Sequence, residues 1–134
     1  MYLLDTNILS ELVKKKPNSN FILKLKSVPP RSLYTSSICV FELRFGIALR
    51  DDFDIFWQRI MDSILSRISI LNFGEEEANI AGDVMAQLQK KGQILGVEDV
   101  YIAATAISSK CTLVTANTKH YERINGLKLE NWIS

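Results

Sequence analysis

Apolar residues recur along this chain in two rhythms, with short β-type runs alternating with longer stretches of helical period. The runs Tyr2–Asp5, Leu33–Thr35, Arg67–Leu71, Thr112–Thr115 and Leu127–Leu129 predict strands. Between them the pattern predicts helices over Ile8–Lys15, Asn20–Val28, Ser37–Leu49, Asp51–Ser66, Glu75–Lys91 and Glu98–Lys110. Such alternation predicts an α/β fold, a mainly parallel twisted sheet of about five short strands with helices on both faces. Pro29-Pro30 ends the second helix, because proline disfavours helical geometry before it and has no N–H to donate. Gly92, after Lys90-Lys91, suits the capping position beyond a helix C-terminus. No internal repeat, low-complexity segment or linker interrupts the pattern, so residues 1–134 read as one domain.

The helix expected over Asp51–Ser66 carries Phe53, Phe56, Trp57, Ile60, Met61, Ile64 and Leu65 on one face. That stripe admits two readings, core packing or a surface for a second copy or a partner, since Trp and Phe are favoured interface anchors.

Composition narrows the class. Hydrophobic residues make up 47% and charged residues 23%, which excludes a disordered chain. A net charge of +1 gives no global attraction to nucleic acid, so any such binding needs a local basic patch. The longest uncharged runs, Ser32–Phe41 and Val100–Ser109, are about half of the roughly 20 residues a membrane-spanning helix needs. No basic segment precedes the first apolar run, and Asp5 interrupts it, so no secretory signal is expected and the cytoplasm is the default location. Cys39 and Cys111 form no CxxC pair and lie among apolar neighbours, as reduced, buried small residues do.

The candidate chemistry lies in the acids. Asp5 follows the apolar start Tyr2-Leu3-Leu4, and Asp99 opens Asp99-Val100-Tyr101-Ile102-Ala103-Ala104. Open α/β sheets bind ligands outside the carboxyl ends of their strands, where a carboxylate is a good ligand for a hard divalent cation. Each acid also has a plain structural reading: Asp5 as a helix N-cap, and Asp99 with Glu98 as first-turn acids favouring the helix dipole. Glu42 stands within an apolar helical stretch, where a carboxylate is costly unless paired or metal-bound; Arg44 and Arg50 are the candidate partners. Asn117 follows the strand over Thr112–Thr115, either shaping a turn or offering an oxygen or a water-orienting amide. Together these residues point to a Mg2+- or Mn2+-dependent hydrolytic site. Such an ion activates water and neutralises charge on a phosphate; Asp5 and Asp99 would serve as its main ligands and Glu42 as ligand or water-orienting base. Thr6 or Thr115 would supply a hydroxyl near the metal waters.

His120 is the only histidine, which excludes a paired-histidine ribonuclease site and a histidine metal cluster. In Lys119-His120-Tyr121 it reads as a surface or packing residue, with general-base work as the alternative. Lys14, Lys15 and Lys16 read as a solvated helix end, or, with Arg44, Lys90, Lys91, Lys119 and Arg123, as a patch for RNA phosphates. Glu75-Glu76-Glu77 opens a helix and serves its dipole.

Four segments in this order, Leu4-Asp5-Thr6-Asn7, Glu42-Leu43-Arg44-Phe45-Gly46, Asp99-Val100-Tyr101-Ile102-Ala103-Ala104 and Leu113-Val114-Thr115-Ala116-Asn117, give the chain its resemblance to PIN-domain ribonucleases of the VapC type. These are the toxins of type II toxin–antitoxin pairs. The ending Gly126-Leu127-Lys128-Leu129-Glu130-Asn131-Trp132 resembles the family's terminal segment, so the likeness runs through essentially the whole chain. It implies a PIN-like fold and a metal-dependent endoribonuclease acting on structured RNA, often a transfer RNA. It also implies a small cognate antitoxin and a homodimer. Asp5 and Asp99 fall where the family binds magnesium, Glu42 on its third acid, and Asn117 on a fourth site where relatives carry Asp or Asn. Glu98 is an extra acid beside the motif.

Two rivals remain. A haloacid-dehalogenase-like phosphatase needs a second Asp two residues after its nucleophile, where this chain has Asn7. A non-catalytic interaction module would keep the fold but has no reason to gather three acids, and would bind no Mn2+.

Overall fold

The computed structural model describes residues 1–134, the side chain of Leu65 excepted. Five strands form one parallel sheet: β1 (Tyr2–Leu4), β2 (Leu33–Ser36), β3 (Ser69–Leu71), β4 (Thr112–Val114) and β5 (Leu129–Glu130). The spatial order is β3-β2-β1-β4-β5. Leu3 and Leu4 point to opposite faces of β1, as do Leu113 and Val114 of β4, and all four are fully buried. Both faces of the sheet centre are therefore covered.

Seven helices connect and flank the strands: α1 (Thr6–Leu12), α2 (Ser19–Ser27), α3 (Ser37–Ala48), α4 (Phe53–Ile60), α5 (Glu75–Lys90), α6 (Val97–Ser108) and α7 (Thr118–Tyr121). Side-chain caps set where several begin. The Asn18 carboxamide accepts the Phe21 N–H at 3.0 Å, and the Ser36 hydroxyl accepts the Cys39 N–H at 3.0 Å. Gly92 has φ 67°, and bonds from its N–H to the Gln89 carbonyl and from the Gln93 N–H to the Leu88 carbonyl close α5, as the sequence predicts.

Two expectations change. The helix expected over Asp51–Ser66 begins at Phe53 and widens after Ile60 into a π-helical turn, Met61–Leu65. Of its apolar stripe, Ile60 and Ile64 are buried, while Phe53, Phe56, Trp57 and Met61 are half-buried; Leu65 lies outside the described side chains. Core packing explains the buried part. The outer rings are covered by the chain's own guanidinium groups, Arg44 over Phe53 and Trp57 and Arg50 over Phe56. The second difference is α7, a single turn of helix where the apolar pattern predicts no element.

The strand order has one reversal that matters. From β1 the chain moves outward to β2 and β3, then returns to place β4 on the other side of β1. Connections leaving β1 and β4 diverge, and a crevice opens beyond their carboxyl ends. No helix among the described residues is long and apolar enough to cross a membrane.

Candidate active site

Asp5 and Thr115 are the first residues beyond β1 and β4. The Asp5 N–H donates to the Val114 carbonyl at 2.9 Å and the Thr115 N–H to the Glu130 carbonyl at 3.0 Å, so the ladder carries both to the rim of the crevice. Asp5 Oδ1 accepts the Thr6 N–H at 2.8 Å and thereby caps α1. The capping reading is correct, and it leaves the second oxygen for the crevice. Oδ2 accepts the Thr115 hydroxyl at 2.8 Å and the Tyr121 hydroxyl at 3.3 Å. Burial pushes the Asp5 carboxyl above the ordinary carboxylate range, the charge of Asp99 acts in the same direction, and the bonds from Thr115 and Thr6 oppose both.

Glu42 lies midway along α3, half-buried, with its Oε1 accepting the Thr6 hydroxyl at 2.6 Å. Burial raises its carboxyl too, helped by the charges of Asp5, Asp99 and Glu98. Neither candidate arginine partner reaches it: Arg44 stacks on Phe53 and Trp57, and Arg50 pairs with Asp52 at 2.9 Å. Asp99 enters from the first turn of α6. Its Oδ1 accepts the Tyr121 hydroxyl at 3.0 Å, and its Oδ2 lies 2.7 Å from His120 Nε2. Glu98, one position earlier, is exposed and does not line the crevice.

Thr115 is the hub of the arrangement. Besides donating to Asp5, its hydroxyl oxygen accepts the Asn117 N–H at 3.1 Å and faces Asn7 Nδ2 at 3.4 Å. The Asn7 carboxamide oxygen in turn accepts the Ala116 N–H at 3.1 Å, pinning the loop after β4 to the start of α1. Asn117 itself is exposed on the wall of the crevice.

Asp5, Thr6, Glu42, Asp99 and Asn117 line a cleft of about 890 Å³, into which Lys119 and Arg123 also face, with Thr115 buried beneath it. Of the basic residues proposed from sequence for RNA, only those two line it. Lys14, Lys15 and Lys16 do not, because α1 carries the chain roughly 10 Å away from the crevice at 1.5 Å per residue. Arg44 is held on its aromatic neighbours. His120 and Tyr121 are the residues the sequence reading undervalued: both line the cleft and both touch Asp99. Their signal was position, a few residues beyond a strand end at the sheet's reversal point.

One oxygen from each of Asp5 and Glu42 lies with Cys39 Sγ in a group whose atoms are all within 4.8 Å of one another. Carboxylate oxygens are the donors that hard divalent cations take, so this acidic cluster is able to hold a metal ion. The Cys39 thiol is no such donor. Burial, then the charge of Asp5, pushes it up to about 11 and keeps it protonated.

Comparison with known proteins identifies the family and the fold. Residues 2–127 match the model of the PIN domain. The chain is 34% identical over 132 residues to Ribonuclease VapC2 of Haemophilus influenzae, covering 98% of each chain. It is 30% identical over 131 residues to the tRNA(fMet)-specific endonuclease VapC of Shigella flexneri, covering 98% of this chain and 97% of that protein. Among solved structures, VapBC2 from Rickettsia felis, bound to a DNA fragment from its promoter, superposes with a TM-score of 0.88 at 34% identity over 98% of both chains.

Proposed function

The chain belongs to the PIN-domain family as a ribonuclease of the VapC type, the toxin of a toxin–antitoxin pair, and from that premise we propose that it cuts structured RNA, with transfer RNA as the substrate class, at a Mg2+ or Mn2+ ion. The observation that carries this reading is the convergence of Asp5, Glu42 and Asp99, from β1, α3 and α6, on one cleft at the reversal point of the sheet. Oxygens of Asp5 and Glu42 lie within 4.8 Å of each other and Asp99 faces Asp5 across the Tyr121 hydroxyl, so the charges repel one another and suit a cation. A non-catalytic module has no use for them, and that alternative is not favoured.

In this proposal Asp5 and Asp99 are the principal ligands, and Glu42 is a ligand or orients the attacking water. When bound, the ion supplies an activated water and neutralises charge developing on the phosphate. Thr6 and Thr115 hold the carboxylates, the first by donating its hydroxyl to Glu42 and the second to Asp5. Asn117, on the cleft wall, positions a water or a phosphate oxygen. Lys119 and Arg123 attract the RNA backbone, a local patch in a chain whose net charge of +1 gives no attraction overall. Residues 1–134 act as one domain, a reading supported by the single sheet that takes strands from both ends of the chain. The enzyme works in the cytoplasm, where transfer RNA is found.

The antitoxin engages through a C-terminal segment. Phe41 and Phe45 form an exposed pair on α3, their rings stacked at 6.3 Å, immediately beside Glu42. A peptide with aliphatic or aromatic anchors on that pair can set an arginine fork against the acids and displace the metal. The chain also pairs with a second copy, for which exposed Leu49 and Ile55 offer apolar area; sedimentation at several concentrations tests this.

Purified without a partner, the chain should cleave transfer RNA with Mg2+ or Mn2+ and stop with EDTA. Sequencing RNA ends after a brief pulse of expression should show cuts in one or a few structured RNAs. Undiminished cleavage in EDTA would overturn the metal-dependent reading.

A further inference from the structure

Tyr121 closes α7, and its ring is 1% exposed. Its hydroxyl has two contacts, Asp99 Oδ1 at 3.0 Å and Asp5 Oδ2 at 3.3 Å. A buried tyrosine needs a partner for its O–H, and any backbone carbonyl would serve. Here both partners are acids of the cleft, delivered by different elements. One O–H carries one proton, so it satisfies one carboxylate and turns oxygen lone pairs toward the other. That arrangement is under-satisfied as it stands, and a cation beside the two carboxylates offsets it. With its proton toward Asp99 Oδ1, the nearer oxygen, the hydroxyl leaves that oxygen a second lone pair, and Asp5 keeps one on Oδ1 beside the Thr6 N–H, so the contact fixes the spacing of the two acids without using up their capacity to bind.

We propose that Tyr121 is a positioning residue, whose hydroxyl sets Asp5 and Asp99 at the separation the cation requires. This rests on the metal-dependent reading of the site. Hydrogen-bonding partners of metal ligands typically contribute 10–100-fold to metal affinity by fixing ligand orientation. Phe in place of Tyr keeps the buried ring and removes only the hydroxyl, so the effect belongs to positioning rather than packing.

The test is calorimetric titration of Mn2+ into the full chain, purified without a partner. Tyr121→Phe should melt in EDTA as a folded protein, and its Mn2+ dissociation constant should rise about tenfold or more. Cleavage at saturating Mn2+ should return to within a few-fold of wild type, because the defect lies in holding the ion. Tyr101→Phe, whose ring packs on Phe73, should bind Mn2+ as wild type does. A folded Tyr121→Phe with unchanged Mn2+ affinity overturns the proposal. A second readout keeps the Tyr121 hydroxyl in place. With Tyr2, Tyr34 and Tyr101 replaced by Phe and 3-fluorotyrosine incorporated, the one fluorine resonance should shift on adding Mg2+, and an unmoved resonance also overturns it. Failure of wild type itself to bind Mn2+ is a different result, which removes the metal reading and this proposal with it.

Discussion

Thr115 donates its hydroxyl to Asp5 Oδ2 at 2.8 Å, joining the ends of two neighbouring strands that lie 110 positions apart in the chain. Thr115 is fully buried, so replacing it with Val leaves Asp5 without its shortest side-chain donor and takes the acceptor from Asn7 Nδ2 and the Asn117 N–H. Leaving a buried acceptor unpaired costs about 1–3 kcal/mol. Thr115→Val should therefore lower the melting temperature by several degrees, at roughly 4 °C per kcal/mol, whereas Thr115→Ser should lose much less.

The three acids should respond alike in catalysis and differently from acids elsewhere. Asp5→Asn, Asp99→Asn and Glu42→Gln keep side-chain shape and lose charge, and each should remove most of the cleavage while circular dichroism stays unchanged. Asp5→Asn retains an oxygen to cap α1, so loss of activity there does not report loss of the helix. Glu76→Gln, exposed in the first turn of α5, should cleave at the wild-type rate. Full activity in Asp5→Asn would remove that residue from the site.

Melting separates a metal site from a set of capping acids. Removing one charge from the cluster relieves repulsion, so Asp99→Asn should melt in EDTA at or above wild type. Mn2+ at a hundredfold excess over its dissociation constant should stabilise wild type by about 2.7 kcal/mol and the variant far less. A clear loss of stability for Asp99→Asn in EDTA, with neither protein responding to Mn2+, would identify Asp99 as a cap.

Away from the cleft, Glu77 makes a pH-dependent clamp between α5 and α6. The Ser108 hydroxyl, then the Gly74 N–H at 2.8 Å, hold its carboxyl below the ordinary value of 4.5. The folded state thus binds fewer protons than the unfolded chain as pH falls through that region, so the clamp is complete above 4.5 and is lost below. Glu77→Gln should be less stable than wild type near neutral pH. The difference should shrink as melts are repeated at lower pH, and a constant difference would argue against the clamp.

Inhibition should depend on an arginine in the antitoxin's tail. Co-expression of the cognate antitoxin should prevent growth arrest, and the tail Arg→Ala variant should protect less well. Equal protection by an antitoxin lacking its tail would rule out this mode of engagement.

All five strands, and six of the seven helices, were visible in the apolar pattern because burial imposes a period; most bounds agree to within about two residues, but α1 stops at Leu12 rather than Lys15 and α4 gives way to the π-helical turn after Ile60. An acidic cluster able to hold a metal ion was visible too. Acids at strand ends and in a half-apolar helix are costly in a soluble core, and a cost that persists asks for a ligand. Periodicity carries no information on what meets across the fold. It left α7 unread, since four residues hold barely one helical turn, and with it the contacts of His120 and Tyr121 to Asp99. It grouped Lys14, Lys15, Lys16 and Arg44 with Lys119 and Arg123 by charge alone. Distance from the crevice excluded the first three, and stacking on Phe53 and Trp57 excluded Arg44. It also offered cap or ligand as alternatives for Asp5. In the folded chain one carboxylate oxygen caps α1 while the other faces the cleft, because the strand order brings Thr115 and Tyr121 to the second oxygen. Local pattern determined which residues were expensive to keep; only the reversal of the sheet between β1 and β4 decided which of them share a site.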